Sequence, residues 1–221
     1  MVVQPTRDRQ AERRKVTRRE ILAAAWDIAH ERSLAEVTLR EIAERIGMRA
    51  PSLYTHFPAK NAMYDAMFEQ AWSQYRDLAE IAQSSLPREP RELLRSVAHQ
   101  FFDFAVADPA RHQLMNQRTI PDFVPTASGY QPAIDVLAML GRTLAGAGLP
   151  DEADLDLFIA LIGGLVDAQL ANDLGGSRWA HLLDRAVDMF ADEVRLPGDR
   201  ATARRPALPR PSSRRPARRT A

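Results

Sequence analysis

Several side chains in residues 49–56 have the chemistry to contact a nucleic acid. If Leu53 and Phe57, which are four positions apart, face a protein core, the remaining side chains of a short helix here face outward. The outward-facing residues are then Arg49, Ser52, Tyr54, Thr55 and His56. An arginine can bond guanine through two parallel hydrogen bonds, and hydroxyl, phenol and imidazole groups can donate to phosphate oxygens. The alternative is that these are ordinary solvated polar residues.

The sequence before this group has the pattern of two amphipathic helices. The first helix is predicted to begin at Thr17, which forms a capping box with Glu20. The second is predicted to begin at Thr38, which forms another capping box with Glu41. Their inward faces consist of Ile21, Leu22, Ala25, Ile28 and Ala29 in the first helix and Leu39, Ile42, Ala43 and Ile46 in the second.

A turn and a short third helix follow. Gly47 is predicted to end the second helix, because glycine adopts a left-handed backbone conformation at little cost. Pro51 suits the first turn of a helix that runs roughly to His56, and Pro58 ends it. A longer fourth helix is predicted from about residue 60 to about residue 83. Together these elements predict a helix-turn-helix.

The sequence TLREIAERIGMRAPSLYTHFPAKNAM, which starts at Thr38, resembles the DNA-binding domain of the TetR family of transcriptional regulators. The resemblance extends over residues 17–70, and the residues that carry it are Thr38, Ala43, Gly47, Ser52, Leu53, Tyr54, Phe57 and Lys60. It implies that Tyr54 and Lys60 contact DNA phosphates and that Thr38 lies near the DNA backbone. Ala59 departs from the family pattern, which usually has Ser or another capping residue there, and this should cost about 1 kcal/mol at the start of the fourth helix.

Further DNA contacts are assigned from the side chains themselves. Arg40, Arg49 and Thr55 are our candidates for base edges, although either arginine could instead be solvated. Ala50 and Ser52 are small and let the backbone of the third helix approach the duplex closely. His56 is placed at the phosphate rim, where a neutral imidazole can still donate a hydrogen bond.

Charge is distributed unevenly along the chain. Residues 1–60 carry 12 Lys/Arg against 8 Asp/Glu, residues 61–199 carry 10 against 21, and residues 200–221 carry 8 arginines and no acidic residue. The excess of basic residues in 1–60 and of acidic residues in 61–199 is typical of a small domain that binds a polyanion, attached to a scaffold that does not bind it. The basic residues before Thr17 and the Arg-rich tail could each add salt-sensitive DNA affinity or simply be solvated.

Periodicity predicts an all-α fold of about nine helices in four parts. A flexible basic arm (1–16) precedes a three-helix helix-turn-helix domain (17–63). A helical domain for effector binding and dimerisation (64–196) follows, and a disordered Arg/Pro-rich tail (197–221) ends the chain. The C-terminal part, with PARHQLMNQRTIPDFVP and QLANDLGGSRWAHLLDRAVDMF, looks like a common regulatory type within the TetR family.

The second domain is predicted to hold a ligand cavity and a dimer interface. The candidate cavity residues are His99, Phe101, Phe104, His112, Met115, Phe123, Met139 and Phe158, although a solid core would have the same sequence pattern. The candidate interface residues, on helices at 151–173 and 177–195, are Phe158, Ile162, Leu165, Val166, Trp179, Leu183, Val187 and Phe190. The alternative is that both helices are interior to a monomer. Gly163 and Gly164 weaken a lone helix, so a close backbone approach would explain them.

Other classes of protein are disfavoured. The chain has no cysteine, so thiolate nucleophiles, disulfides and Cys-type zinc sites are excluded, and no H-E-x-x-H, G-x-S-x-G or P-loop motif indicates an enzyme. His99 and His112 lie in separate segments and predict no metal site, and no cofactor is expected. The N-terminus lacks the apolar stretch of a secretion signal and no window resembles a membrane span, so we expect a cytoplasmic protein without a membrane partner.

The resemblance and the residues together predict a regulator, and the resemblance implies a repressor, since repression is the family's usual output. The expected partners are double-stranded DNA with a palindromic operator, a second copy of the chain in a homodimer, and an unknown small apolar effector that releases the DNA. A DNA-binding regulator without a small-molecule ligand and a helical protein-interaction scaffold are the alternatives.

Overall fold

The first four helices are built around one apolar core. A computed structural model describes residues 6–198, with side chains from residue 9 onward. Within that range the helices are α1 (Thr6–Glu31), α2 (Leu39–Arg45), α3 (Ala50–Tyr54), α4 (Lys60–Ala82), α5 (Pro90–Val106), α6 (Pro109–Asn116), α7 (Ala127–Gly146), α8 (Glu152–Asn172) and α9 (Leu183–Glu193). The described residues contain no strand, and the all-α prediction is confirmed.

The start of α1 differs from the prediction. The helix begins at Thr6, so Thr17 lies inside it and does not cap it. The described part of the predicted flexible arm, residues 6–16, is therefore helical. Its Ala, Gln, Glu, Arg and Lys residues favour a helix, and the contacts of Arg14 and Arg18 with the end of α3, given below, hold it against the domain. Residues 1–5 and 199–221, and so most of the predicted tail, lie outside the described residues.

The local signals around α2 are mostly confirmed. The Thr38 hydroxyl accepts a hydrogen bond from the Glu41 amide at 3.2 Å, and Gly47 has a φ of +65°. The second half of the predicted capping box is wrong, because the Glu41 carboxylate pairs with Arg32 at 3.0 Å and does not reach back to the cap amide. The guanidinium of Arg32 is the stronger partner, since both groups are charged.

Two main apolar clusters organise the described residues. The first joins α1, α2, α3 and the beginning of α4, and it includes Ile28, Ile42, Leu53 and Phe57. The second joins α5, α8 and α9, and it includes Leu94, Phe102, Phe158, Ile162 and Leu183. A small third cluster of Ala71, Tyr75 and Met115 lies along α4 and α6. Helix α4 thus contributes at its start to the core of the first unit, formed by α1 to α3. Further along it contacts the second unit, formed by α5 to α9.

Candidate nucleic-acid interface, cavity and pairing surface

The register of α3 is the predicted one. Leu53 and Phe57 are 0% and 1% exposed and pack in the first cluster with Leu39, Ile42 and Ala43. Each buried apolar side chain of this size contributes about 1.5–3 kcal/mol, which holds the helix in one rotation about its axis. Pro51 occupies the first turn as predicted, and the helix ends at Tyr54, two residues earlier than expected.

That rotation exposes the predicted contact residues. Tyr54 is 52% exposed, and the exposed side chains around it are those of Arg49, Ser52 and Thr55. Ala50 is half-buried at the start of the helix. The Thr55 hydroxyl donates its hydrogen to the Ser52 carbonyl at 2.7 Å, so it can still accept a hydrogen bond but has no second hydrogen to donate. The result is a small polar face, with one cation and one phenol, on the five-residue helix and the two residues that flank it.

Two arginines of α1 form hydrogen bonds with the end of α3, a role that was not predicted from the sequence. Arg14 Nη2 donates to the Thr55 carbonyl at 3.2 Å, and Arg18 Nη1 donates to the His56 carbonyl at 2.7 Å. The Arg18 guanidinium also lies 4.2 Å from the centre of the Phe57 ring. These contacts satisfy carbonyls that a helix C-terminus leaves unpaired, and cations are favoured there by the helix dipole. The only sequence signal was the helical spacing of two arginines on an otherwise polar segment.

His56 is held neutral by its surroundings. Burial lowers the pKa of the imidazole, and the positive charges of Arg14 and Arg18 lower it further. Its Nδ1 atom is buried and has no hydrogen-bond partner among the described residues. A neutral ring can still donate from one nitrogen, so a contact at the phosphate rim does not require protonation.

Lys60 and Arg40 have partners within the protein. The Lys60 ammonium donates to the Ala35 carbonyl at 2.8 Å and lies 5.2 Å from the centre of the Tyr64 ring. Two further N–H groups of that ammonium remain for another acceptor. Arg40, whose side chain is 87% exposed, pairs with Glu44 one turn later on α2 at 3.0 Å. Such an exposed pair contributes little and is readily exchanged for a phosphate or a base.

Comparison with known proteins supports this description of the first unit. Residues 21–67 match the family model described as "Bacterial regulatory proteins, tetR family". Over 195 residues the chain is 25% identical to the HTH-type transcriptional regulator TtgR of Pseudomonas putida, an alignment that covers 83% of this chain and 89% of TtgR. This chain is a TetR-family transcriptional regulator.

Two further relatives extend the match. The TetR-family chain is 38% identical over 68 residues to the class A tetracycline repressor from transposon 1721 of Escherichia coli, covering 31% of this chain and 29% of that repressor. The fold resembles that of the regulator FadR from Bacillus subtilis, solved in complex with stearoyl-CoA, with a TM-score of 0.64 and 16% identity over 77% of this chain and 96% of that one. The latter likeness concerns the fold alone.

A cavity lies among α4, α5, α7 and α8 of this TetR-family protein. Its empty space amounts to about 840 Å³, including the part of its mouth that is open to solvent. Its walls are mainly apolar and aromatic, with Trp72 and Tyr75 from α4, Phe101 from α5, Met139 from α7 and Phe158 from α8. Three of the eight predicted cavity residues therefore lie in the wall: Phe101, Met139 and Phe158. These three residues are on α5, α7 and α8, whereas the wall residues of α4 were not predicted.

Five predicted cavity residues lie elsewhere. His99 pairs with Asp184 at 2.7 Å on a half-exposed surface, and Phe104 lies under the Arg111 guanidinium at 3.7 Å. Met115 packs with Ala71 and Tyr75 in the small cluster, and Phe123 packs beside Tyr64 and Phe68. His112 is 2% exposed and contacts Asp167 at 3.0 Å and Asn116 at 3.2 Å, so its ring nitrogens already have partners. In each case the side chain contacts other residues and does not line the cavity.

The described residues contain no group of three His, Asp or Glu side chains that could hold a metal ion. No helix among residues 6–198 is long and apolar enough to cross a membrane.

Most of the predicted dimer residues face the interior of the protomer. Six of the eight are at most 4% exposed in the single chain, in the core formed by α5, α8 and α9: Phe158, Ile162, Val166, Leu183, Val187 and Phe190. Leu165 and Trp179 are only partly buried. Because α8 is apolar on nearly all sides, the sequence pattern could not show which side faces outward. The outward face of α8 carries Leu157, Ala160 and Gly164, whereas the partly exposed Ile159 lies on another side and lines the cavity.

Proposed function

We propose that this TetR-family regulator is a repressor that binds a palindromic operator as a homodimer and is released by a small, largely apolar ligand. The observation that carries the DNA-binding part is the rotation of α3, which buries Leu53 and Phe57 and exposes Arg49, Ser52 and Tyr54. A short helix fixed in this way can enter the major groove, which is about 12 Å wide.

The contacts with DNA are divided between two kinds. Tyr54, Lys60, Thr38 and His56 bind phosphates, which positions the domain without reading sequence. Base edges are the role of Arg49 and Thr55, which flank α3, and of Arg40, which is exposed on α2. Ala50 and Ser52 allow the backbone of α3 a close approach. The exposed arginines of α1, next to the same end of α3, add salt-sensitive phosphate contacts.

The homodimer uses the outward face of α8. Leu157 is 50% exposed there, and Met189 of α9 is 63% exposed. A Cβ atom added at Gly163 or Gly164 would meet no other atom within 4 Å, so nothing inside the protomer requires a glycine at either position. Two adjacent glycines in a helix cost stability, and a close approach by a second copy is the physical reason to keep them. Two copies present two α3 helices to successive major grooves of a palindrome.

The domains we propose are the DNA-binding unit up to about residue 63 and the helical unit from about residue 64. Helix α4 spans both, since its first turns pack in the first cluster and Tyr75 packs in the third. The units also meet where His30 of α1 contacts the Asp108 carboxylate at 3.0 Å, at the beginning of α6. A ligand against α4 can thus favour one arrangement of the two α3 helices, provided that it binds the two states with different affinities.

One protein of similar fold has a bound small molecule: FadR of Bacillus subtilis was solved in complex with stearoyl-CoA. For this chain the support is its own cavity, whose wall is mainly apolar and aromatic with a few polar groups, as in small-molecule sites. We also infer that the protein acts in the cytoplasm and catalyses no reaction.

Selection of bound duplexes from a random pool tests the proposal. A homodimer should return a palindrome, and its half-site spacing should match one helical turn or a small multiple. The recovered duplex then serves in a fluorescence-anisotropy assay, in which a compound that raises the melting temperature of the protein should also release the DNA. No enrichment of any sequence would favour a protein-interaction scaffold, and a palindrome that no stabilising compound releases would favour a regulator without a ligand.

A further inference from the structure

Two residues that line the cavity carry hydrogen-bond donors without partners among the described residues. Both belong to α4 and lie one turn apart, Trp72 and Tyr75, with their rings in an edge-to-face contact at 6.4 Å. The Trp72 indole nitrogen is buried, and no acceptor reaches it from the described part of the chain. The Tyr75 side chain is more than nine-tenths buried, and its hydroxyl makes no hydrogen bond within residues 6–198.

The surroundings of Tyr75 explain why this matters. Its ring contacts Phe101 and Phe104 with centroid distances of 5.3 Å and 5.0 Å. Burial alone raises the pKa of the phenol, so the hydroxyl stays neutral and available as a donor. A buried donor without an acceptor costs the protein free energy that an incoming acceptor can recover.

The described wall of the cavity contains no charged side chain. Among the described residues that line the cavity none is Asp, Glu, Lys, Arg or His, and the polar ones are Gln83, Gln100, Asn116 and Thr143 besides Trp72 and Tyr75. A charged ligand group would lose its hydration without gaining an ion pair, which is strongly unfavourable. The many aromatic rings favour flat, polarisable carbon skeletons.

We propose that the cavity takes an uncharged compound of mainly aromatic carbon that carries a hydrogen-bond acceptor, such as a ketone, and that Tyr75 and Trp72 donate to this acceptor. The inference rests on the proposed function, since it names the chemistry of the ligand that releases the DNA. Tyr75 is the main donor because its hydroxyl belongs to the more deeply buried side chain, and Trp72 is the second.

Position on α4 connects the ligand with the DNA-binding unit. Trp72 packs against both the first cluster, which contains α3, and the small third cluster around Tyr75. A ligand bonded to these two residues therefore touches a side chain that also contacts the core holding α3. Contact at Trp72 can thereby bias the position of the DNA-binding unit.

Two matched pairs of compounds test the chemistry on the free protein. N-phenyl-1-naphthylamine is neutral and fluoresces in apolar sites, and 8-anilino-1-naphthalenesulfonate has the same rings with an anionic group. Benzophenone and diphenylmethane differ in a carbonyl against a methylene. The neutral probe should bind at least about tenfold more tightly than the sulfonate, and benzophenone should displace it about three- to tenfold more effectively than diphenylmethane, the gain expected of one net hydrogen bond.

Substitutions assign the preference to the two donors. Tyr75→Phe should remove most of the preference for the ketone, and the double variant with Trp72→Phe should prefer the hydrocarbon, because a buried carbonyl without a donor is penalised. Tyr130→Phe is the matched control, since Tyr130 stacks on Phe68 at the surface and does not line the cavity. Tyr75→Phe loses no hydrogen bond within the described protein and should melt no lower than the unmodified chain.

The possible outcomes are distinct. Displacement by neither compound, equal binding of the sulfonate, or a ketone preference that survives in the double variant would overturn the inference. If the ketone binds as expected but leaves operator DNA bound, the ligand chemistry holds and the proposed release is wrong.

Discussion

Arg18 of α1 donates a hydrogen bond to the main-chain carbonyl of His56, with 2.7 Å between Nη1 and the oxygen. The two residues are 38 positions apart, and the bond joins the first helix to the end of the helix that we place in the major groove. The same guanidinium covers the buried Phe57 ring. The orientation of α3 thus depends on a cation of α1, which lies outside the segment formed by α2, the turn and α3.

Substitution of Arg18 tests this dependence. Arg18→Gln should destabilise the protein by about 1–2 kcal/mol, because it removes a charge-assisted hydrogen bond and a cation–π contact. DNA affinity should fall for specific and unrelated duplexes. Arg19→Gln is the control, since its side chain is 69% exposed and pairs only with Glu12 among the described residues. Urea unfolding and fluorescence anisotropy measure the two effects, and equal stability of the two variants would contradict the role of Arg18.

The division between phosphate and base contacts predicts different kinds of loss. Tyr54→Ala or Lys60→Ala should weaken binding to every duplex by a similar factor, about tenfold, because phosphate contacts carry no sequence information. Arg49→Ala should cost about 1–3 kcal/mol at one base position and relax the sequence preference there. Repeating the duplex selection with each variant separates the two. If Tyr54→Ala binds DNA with unchanged affinity, the proposed placement of α3 in the major groove is wrong.

The missing cap of α4 offers a stabilising substitution. Ala59 has an extended backbone, with a φ of −151° and a ψ of 163°, and provides no side-chain acceptor for the first amides of the helix. Ala59→Ser should supply one and raise the free energy of unfolding by about 1 kcal/mol. Ala107→Ser, at the C-terminal end of α5, is a control without free amides to cap. A melting temperature that does not rise in Ala59→Ser would contradict this account of the helix start.

His56 should make the stability fall in acid. Since its pKa is lowered in the folded protein, the unfolded chain takes up the proton first as the pH drops below the ordinary value of about 6.5. The unfolded state then binds more protons, so this contribution to the free energy of unfolding decreases from about pH 6.5 downward. His56→Gln should flatten that part of the profile in urea titrations between about pH 5 and 8. An equally steep profile in His56→Gln would contradict this role of the histidine.

The proposed pairing surface predicts a variant that is stable but monomeric. Gly164→Leu meets open space within the protomer and replaces glycine by a better helix former, so the single chain should gain about 0.5–1 kcal/mol. The new side chain should nevertheless keep the second copy away. Light scattering after size exclusion should give the monomer mass for Gly164→Leu and the dimer mass for Gly146→Leu, whose glycine lies in open space at the end of α7. A dimer mass for Gly164→Leu would exclude this face.

Local features of the DNA-binding unit were predictable from the amino-acid order. The Thr38 cap, the turn at Gly47 and the burial of Leu53 and Phe57 follow from interactions between residues at most a few positions apart. Helix periodicity and capping depend on such short separations, so the pattern of residue types is enough to identify them. The same reasoning found the uncapped start of α4 at Ala59.

Contacts between distant helices were decided by tertiary packing. Nothing in the pattern distinguishes Phe101, which lines the cavity, from Phe104, which lies under Arg111. The outward side of α8 could likewise not be predicted, because a helix that is apolar on nearly all sides carries little periodic signal of which side the rest of the chain covers. Such choices depend on how whole helices pack against one another, and each surface is buried or left free by residues that lie far away in the sequence.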